Sequence, residues 1–484
     1  MVLWPHLKQI TVNNFHTTIL LPLIATILLI SIWIGPGNKV LVWFHALRPV
    51  HLFFLTFLPI ITLTYHTIRH PRRVYLVNYA CFCPDSSWRA SMASYIEHTR
   101  LVPFFDESTF HFMKRMLQRS GLGDETSVPP SMHYIPPLDE LSEYRDEAEL
   151  IVFMVIDDLI KKTCIDPNKI DILIVNCSLF DPTPSLADII MRRYKLRHDI
   201  RHMQLSGMGC SASLIAVGLA RNLLQSAAPG AHALLVSAEI LRQYKGNKRS
   251  MQLQNVLFRA GGAAILLSTS KANARFELTH IVRKSTSAQD DAYRCVSREE
   301  DEEGNLGINL SKDLLDIAGE ALKSNIASLG PDVLPFSEKC KFLLSFTLGK
   351  VLNGRINIHV PDFRTAFQHF CIHAGGRAVV DGVQHSLGLS DEQAEPSRMT
   401  LHRFGNTLSS SVWYELAYVD AKGGIKKGEQ VWMIGFGSGY KCISAVWKCI
   451  EPTQYADMAW EDCIDHLGPG GNKIPRRVTR VSII

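Results

Sequence analysis

Four short stretches of the chain are apolar almost without interruption: VYLVNY (74–79), DILIVNC (171–177), ALLVSAEIL (233–241) and AAILLST (263–269). Strands exposed on one face alternate polar and apolar residues, whereas strands buried on both faces read as continuous apolar runs. Between these runs lie segments with helical spacing of apolar positions, YRDEAELIVFMVIDDLIKKT, PSLADIIMRRYKLRHDI and SLIAVGLARNLLQ. The alternation predicts an α/β fold with buried sheets. The pattern then breaks at SREEDEEGN (297–305), which reads as an acidic exposed loop. LSKDLLDIAGEALKSNIASLGP follows as an amphipathic helix closed by Gly330 and Pro331. A second α/β half comes next and ends in EQVWMIGFGSGYKCISAVWKCIE, two strands joined by a glycine turn. Strand-rich halves on either side of the acidic loop would allow an internal duplication.

The chain has 484 residues, room for two or three domains, and its 46% hydrophobic content is unevenly spread. FHTTILLPLIATILLISIWIG (15–35) carries no Asp, Glu, Lys or Arg and is long enough to span a bilayer. VHLFFLTFLPIITLTYHTI (50–68) is shorter but equally free of those charges. Two such segments in succession fit a membrane hairpin better than a cleaved secretory signal. Arg69, His70, Arg72 and Arg73 follow at once and put that flank, and with it the N-terminus, on the cytosolic side. Eleven cysteines lack the density of a disulfide scaffold and predict mostly free thiols in a reducing environment. Cys81 and Cys83 are too closely spaced for the usual zinc pair. The net charge of +5 is mild, and no basic run is interleaved with aromatics, which argues against nucleic acid as a partner.

LSGMGCSAS (205–213) sets one cysteine among small residues directly before a helix-like run. Cysteine is often merely a small buried hydrophobe. At Cys210, however, the small neighbours admit a substrate, and the following helix would aim its positive end at the sulfur and favour thiolate. HFCIHAGGRAVVDGVQ (369–384) places His369, Cys371 and His373 two apart, on one face of a strand. A metal trio would need a fourth ligand from elsewhere, and a structural role fits His369 better. His373 ends the strand and precedes a glycine pair and a helix, where α/β proteins put catalytic groups. Asn406, after a glycine, is either an N-cap or turn residue or an amide donor for a developing enolate oxygen. GFGSG (435–439) lacks the spacing and the downstream acid of a dinucleotide fingerprint, so a nicotinamide cofactor is rejected, and its backbone is expected to line the same pocket.

The chain resembles the plant 3-ketoacyl-CoA synthases, the membrane-bound condensing enzymes of very-long-chain fatty acid elongation. The resemblance extends to about residue 456 and rests on NCSLFDPTPSL (176–186), GMGCSA (207–212), LFRAGGAAILLS (257–268), LSKDLLDIAGEALKSNI (310–326), HFCIHAGGRAVVD (369–381), LHRFGNTLSSS (401–411) and GFGSGYKC (435–442). It implies a thiolase-like layered fold with two similar halves behind a transmembrane hairpin. The expected division is two membrane helices over 1–68, a half carrying the nucleophile over 69–330, a half carrying His and Asn over 331–456, and a tail over 457–484. Matched motif to motif, the triad falls on Cys210, His373 and Asn406, with His369 and His402 as further family histidines. The implied reaction joins malonyl-CoA, with loss of CO₂, to a long-chain acyl group held on Cys210. It needs neither metal nor other cofactor. The implied partners are acyl-CoA and malonyl-CoA, the membrane, a second like subunit in a homodimer or mixed dimer, and other elongase components. The implied location is the endoplasmic reticulum membrane, with the catalytic part facing the cytosol.

Three departures from the family pattern stand out. Lys284-Ser285-Thr286-Ser287 replaces a Thr-His-Lys-Gly run, Ser213 replaces a glycine, and Lys248 stands in place of an aspartate. The alternative they raise is a catalytically weak or inactive member acting as a regulatory interaction subunit of the elongase.

Overall fold

In the computed structural model, which describes residues 72–351, 359–453 and 456–462, nine strands form one mixed sheet. They are β1 (Val74–Cys81), β2 (Ile170–Asn176), β3 (Arg201–Leu205), β4 (His232–Glu239), β5 (Gly261–Ser268), β6 (Phe276–Ser285), β9 (His369–Ile372), β10 (Gln430–Gly437) and β11 (Lys441–Cys449), in the order β3-β2-β4-β5-β1-β6-β11-β10-β9. The four runs with continuous apolar character are β1, β2, β4 and β5, and β5 is buried at every position. The expected membrane hairpin lies outside the described residues. Among the described residues no helix is long and apolar enough to cross a membrane.

The pairing senses repeat. β2 lies parallel to β4, β4 antiparallel to β5, and β5 antiparallel to β1. β9 lies parallel to β10, β10 antiparallel to β11, and β11 antiparallel to β6. The two runs meet where β1 pairs with β6. Strand β6 therefore plays in the later run the part that β1 plays in the first.

Helix α1 (Leu141–Thr163) packs on β1, β4 and β5 through Ile151, Val152, Val155, Ile156 and Leu159. Two further helices carry the residues of interest, α2 (Ala212–Gln225) and α6 (Ser411–Ala421), with α3 (Leu314–Val333), α4 (Arg377–Leu387) and α5 (Asp391–Phe404) between them in sequence. Every residue of α6 from Ser411 to Asp420 is buried, as expected of a helix enclosed on all sides rather than laid on a surface. Around β9 and β10, Phe363, Phe367 and Phe370 surround Trp432, with ring centroids 4.9–6.0 Å from the indole, whose Nε1–H donates to Ser444 Oγ at 2.8 Å. Burying such rings contributes about 1.5–3 kcal/mol each, and the indole donor is not left unpaired.

Two local expectations differ from the structure. Helix α3 runs through Pro331 to Val333, because a proline in the last turn removes one hydrogen bond and the chain is still capped by Leu334 N–H on the Gly330 carbonyl at 3.0 Å. The acidic stretch 297–305 is not a loop but most of a hairpin, β7 (Val296–Glu300) against β8 (Leu306–Leu310). Asp301 and Gly304, the latter at φ +82°, make its turn, so the acids occupy a solvated ribbon.

The chain divides into two compact units, Met1–Arg73 with Leu223–Ala228, and Val74–Asn222 with Pro229–Ile484. In the first, Gln225 donates to the Arg72 carbonyl. The second holds the whole sheet and the cavity described next.

Candidate active site

Cys210 lies in the tight turn Gly209–Ser211 that opens α2. The turn is crowded. Gly209 adopts φ +61°, and a Cβ there would sit 2.9 Å from the Ser438 nitrogen; a Cβ on Gly437 would meet Ser211 Oγ at 2.1 Å and the Met208 carbonyl at 2.6 Å. Only glycines let the elbow nest against the turn between β10 and β11. The Ser178 hydroxyl accepts from Gly209 N–H at 3.0 Å and fixes the other side.

His373 follows the last residue of β9, tied by its N–H to the Ile434 carbonyl at 2.9 Å. Its Nδ1 is 2.7 Å from Ser411 Oγ, at the start of α6. The Ser411 hydroxyl donates to the Leu408 carbonyl at 3.1 Å, which leaves it to accept from Nδ1–H and gives Nε2 a free lone pair. Asn406 comes after Gly405, which at φ +73° ends α5 and has no room for a Cβ beside Arg259. Its Oδ1 accepts from Leu408 N–H at 2.9 Å and its Nδ2 donates to the Gly375 carbonyl at 3.1 Å. The second amide hydrogen remains for a ligand.

Cys210, His373 and Asn406, drawn from three separate elements, all line one cavity of about 610 Å³. The GFGSG backbone is there too, through Gly437, Ser438 and Gly439. His369 and His402 are not. His369 Nε2 is held by Glu429 Oε2 at 2.8 Å, and His402 packs its ring over Gly123. The His369–Cys371–His373 trio is divided likewise: Cys371 is buried, and among the described residues no cluster could hold a metal ion.

The electrostatics reverse one expectation. Burial pushes the Cys210 thiol up to about 12, and the neighbouring Glu239 adds to the rise. A helix N-terminus contributes about 0.3–1 kcal/mol, less than a tenfold change in acidity, and does not overcome this. Burial also takes His373 down to about 4, so the resting pair is thiol and neutral imidazole.

Several residues of the cavity had not stood out in the sequence. Glu239, at the end of β4, is buried and raised to about 7 by that burial, against the bonds it accepts from Ser178 N–H at 2.7 Å and Leu179 N–H at 3.1 Å. The available signal was an acid at the end of an apolar strand. Ser297, Arg298 and Ile308 reach the cavity from the hairpin that had read as a loop. Among the departures, Ser213 is buried and donates to the Ser409 carbonyl at 2.6 Å, joining the first turn of α2 to the segment before α6. Lys248 pairs with Glu299 at 3.0 Å, and Ser285 bonds Ser287, which lines the cavity.

The sheet, the enclosed helices and the cysteine cavity define a thiolase-like condensing fold. Solved structures of that kind superpose on most of the chain: a fungal type III polyketide synthase, ORAS, with TM-score 0.62 and 17% identity over 78% of this chain and 99% of its own. A 1,3,6,8-tetrahydroxynaphthalene synthase from Streptomyces coelicolor A3(2) gives 0.60 and 18% over 78% and 99%. Residues 66–351 match the family model "FAE1/Type III polyketide synthase-like protein", and residues 364–449 match the C-terminal model of 3-oxoacyl-[acyl-carrier-protein] synthase III. The chain belongs to the FAE1/type III polyketide synthase-like family and, within it, stands with the plant 3-ketoacyl-CoA synthases. It is 50% identical to 3-ketoacyl-CoA synthase 5 of Arabidopsis thaliana over 94% of both chains, and 48% identical to 3-ketoacyl-CoA synthase 6 of the same plant over 94% of this chain and 93% of that one.

Proposed function

We propose that the chain is a 3-ketoacyl-CoA synthase that lengthens a long-chain acyl-CoA by two carbons, with Cys210, His373 and Asn406 as its catalytic residues. The observation that carries this is the convergence of the three side chains on one cavity. His373 Nε2 takes the Cys210 proton as the sulfur attacks the thioester, and delivers it to the departing CoA sulfur. The acyl group is left on Cys210. Malonyl-CoA then binds and its C–CO₂ bond breaks, the electron pair passing to the thioester oxygen, held by the second Asn406 amide hydrogen and by a proton on Nε2. The enolate carbon attacks the acyl carbon and expels the cysteine sulfur, which takes the proton from Nε2.

Nε2 must accept in the first step and donate in the second. Between the two steps Nε2 takes a proton from solvent while Nδ1–H stays on Ser411 Oγ, so the imidazole is doubly protonated while it donates. The cavity is of a size suited to part of a flexible acyl chain, with Val296, Ile308, Leu310, Leu314 and Phe436 as apolar wall. The divisions at residues 68, 330 and 456, a membrane hairpin before the catalytic part, a location in the endoplasmic reticulum membrane facing the cytosol, pairing with a like subunit and association with other elongase components belong to the same proposal. The reading as an inactive regulatory subunit is not favoured, since the triad is complete and Ser213, Lys248 and Ser285 each find a hydrogen-bond or ionic partner without obstructing it.

The test is condensation by microsomes from a host lacking such activity, given labelled malonyl-CoA and a panel of saturated and monounsaturated acyl-CoAs. Labelled 3-ketoacyl product from wild type and none from Cys210→Ala is expected. No product from well-expressed wild type across the panel would move the reading to the regulatory subunit.

A further inference from the structure

The helix Phe336–Val351 turns large apolar side chains to solvent. Its polar side faces the protein: Glu338 is buried and accepts from His359 Nε2 at 2.8 Å and from Asp362 N–H at 3.0 Å, and Ser345 Oγ accepts from His359 N–H at 2.8 Å. The opposite side carries Phe336, Cys340, Leu343, Leu344 and Thr347, spaced i, i+4, i+7, i+8 and i+11 along one stripe. Phe336 is 81% exposed, Leu343 and Leu344 are each 61% exposed, and Val360 beside the helix is 77% exposed. Ordinary surface helices bury this stripe and hydrate the polar one.

We infer that this helix lies in the headgroup region of a lipid bilayer, with Phe336, Leu343, Leu344 and Val360 inserted. Three observations choose a bilayer over a second protein. The helix has 16 residues, about 24 Å, so it is suited to lying in an interface rather than crossing one. Lys339 and Lys341 flank the stripe, and Lys341 neutralises the helix's one acid, Glu338, at 2.8 Å, so no unpaired acid is turned toward anionic headgroups. The two charge-free runs before residue 69 give the same chain segments whose composition fits a bilayer. An acyl-CoA synthase whose catalytic part rests on the membrane would meet its amphipathic substrate there; the inference itself does not depend on the condensation chemistry.

Cys340 on this stripe and Cys164, both exposed, offer matched probe sites. The full chain is labelled with an environment-sensitive fluorophore at Cys340 in a Cys164→Ser background, or at Cys164 in a Cys340→Ser background. It is then reconstituted into phosphatidylcholine vesicles containing phosphatidylserine and lipids bearing a nitroxide near the headgroup. Labelled-peptide mapping confirms the site. Blue-shifted emission and nitroxide quenching at Cys340, absent at Cys164 and lost in Leu343→Glu/Leu344→Glu, are expected. Equal emission and no quenching at either site, or Cys340-to-Cys340 cross-linking between chains in place of quenching, would overturn the inference. Flotation reports vesicle attachment separately; a chain that stays off the vesicles would overturn the helix contact and the proposed hairpin together.

Discussion

His373 Nδ1 and Ser411 Oγ lie 2.7 Å apart, a buried imidazole at the end of β9 oriented by the residue that opens α6. The hydroxyl donates to the Leu408 carbonyl and accepts from Nδ1–H. That pairing holds the proton on Nδ1 and leaves Nε2 to exchange protons with substrate and cysteine. Ser411→Ala removes it. The expected effect is a fall in kcat of about tenfold, the worth of one hydrogen bond, with KM for acyl-CoA unchanged. Ser411→Thr, which keeps the hydroxyl, should restore most of the rate. A loss confined to thermal stability, with kcat intact in Ser411→Ala, would contradict the role.

The resting thiol is predicted to alkylate slowly at neutral pH. With Cys210 raised to about 12 and His373 lowered to about 4, the thiolate–imidazolium pair is not populated in the free enzyme. Inactivation by iodoacetamide should therefore climb about tenfold per pH unit from neutrality through pH 9 without levelling. A plateau already reached below pH 7 would mean that the ion pair forms.

Glu239 is predicted to make stability fall as pH rises. Its carboxyl is raised from 4.5 to about 7 by burial, so between those values the folded chain holds a proton that the unfolded chain has released. Stability is lost across that window, by about 2–3 kcal/mol once pH exceeds 7. Glu239→Gln keeps an acceptor for Ser178 and Leu179 and should unfold later than wild type at pH 8 but not at pH 4. It should also speed Cys210 alkylation above pH 8 by removing the adjacent negative charge. Identical pH–stability curves for the two proteins would exclude the buried acid as the cause.

Gly437 is predicted to tolerate no side chain. Ala at this position would place its Cβ against Ser211 and Met208, and relieving the overlap costs about 1–3 kcal/mol while moving the Cys210 elbow. Gly382 in α4 meets nothing within 4 Å, and Gly382→Ala should stabilise by about 0.5–1 kcal/mol. Thermal unfolding of both variants, with acyl transfer measured alongside, checks the contrast; a Gly437→Ala protein as stable and active as wild type would refute the packing argument.

The strands β1, β2, β4 and β5 were legible because a strand buried on both faces needs no alternation, and few other elements are so short and so uniformly apolar. Cys210, His373 and Asn406 were legible because each sits within two residues of a glycine where an element begins or ends. What could not be read locally depends on which side of an element faces what. The apolar spacing of Phe336–Val351 is the same whether its stripe is covered or bare, and only Glu338 and Ser345 meeting the segment at His359 reveals that the stripe looks outward. The ribbon Val296–Leu310 was masked by its acids, which in a two-stranded hairpin can be solvated. Ser411 was one of three consecutive serines, separated from its neighbours only by the direction of its hydroxyl. The thiolate expectation failed because a helix end is a local signal and burial is not.

The most direct measurement is the mass of the Cys210 peptide after the full chain, in membranes, is incubated with a long-chain acyl-CoA and no malonyl-CoA. An acyl thioester is predicted on Cys210, released by hydroxylamine, absent from Cys210→Ala, and discharged into 3-ketoacyl-CoA when malonyl-CoA is added. Product formation with no acyl adduct, or with the adduct on another cysteine such as Cys177, would contradict it.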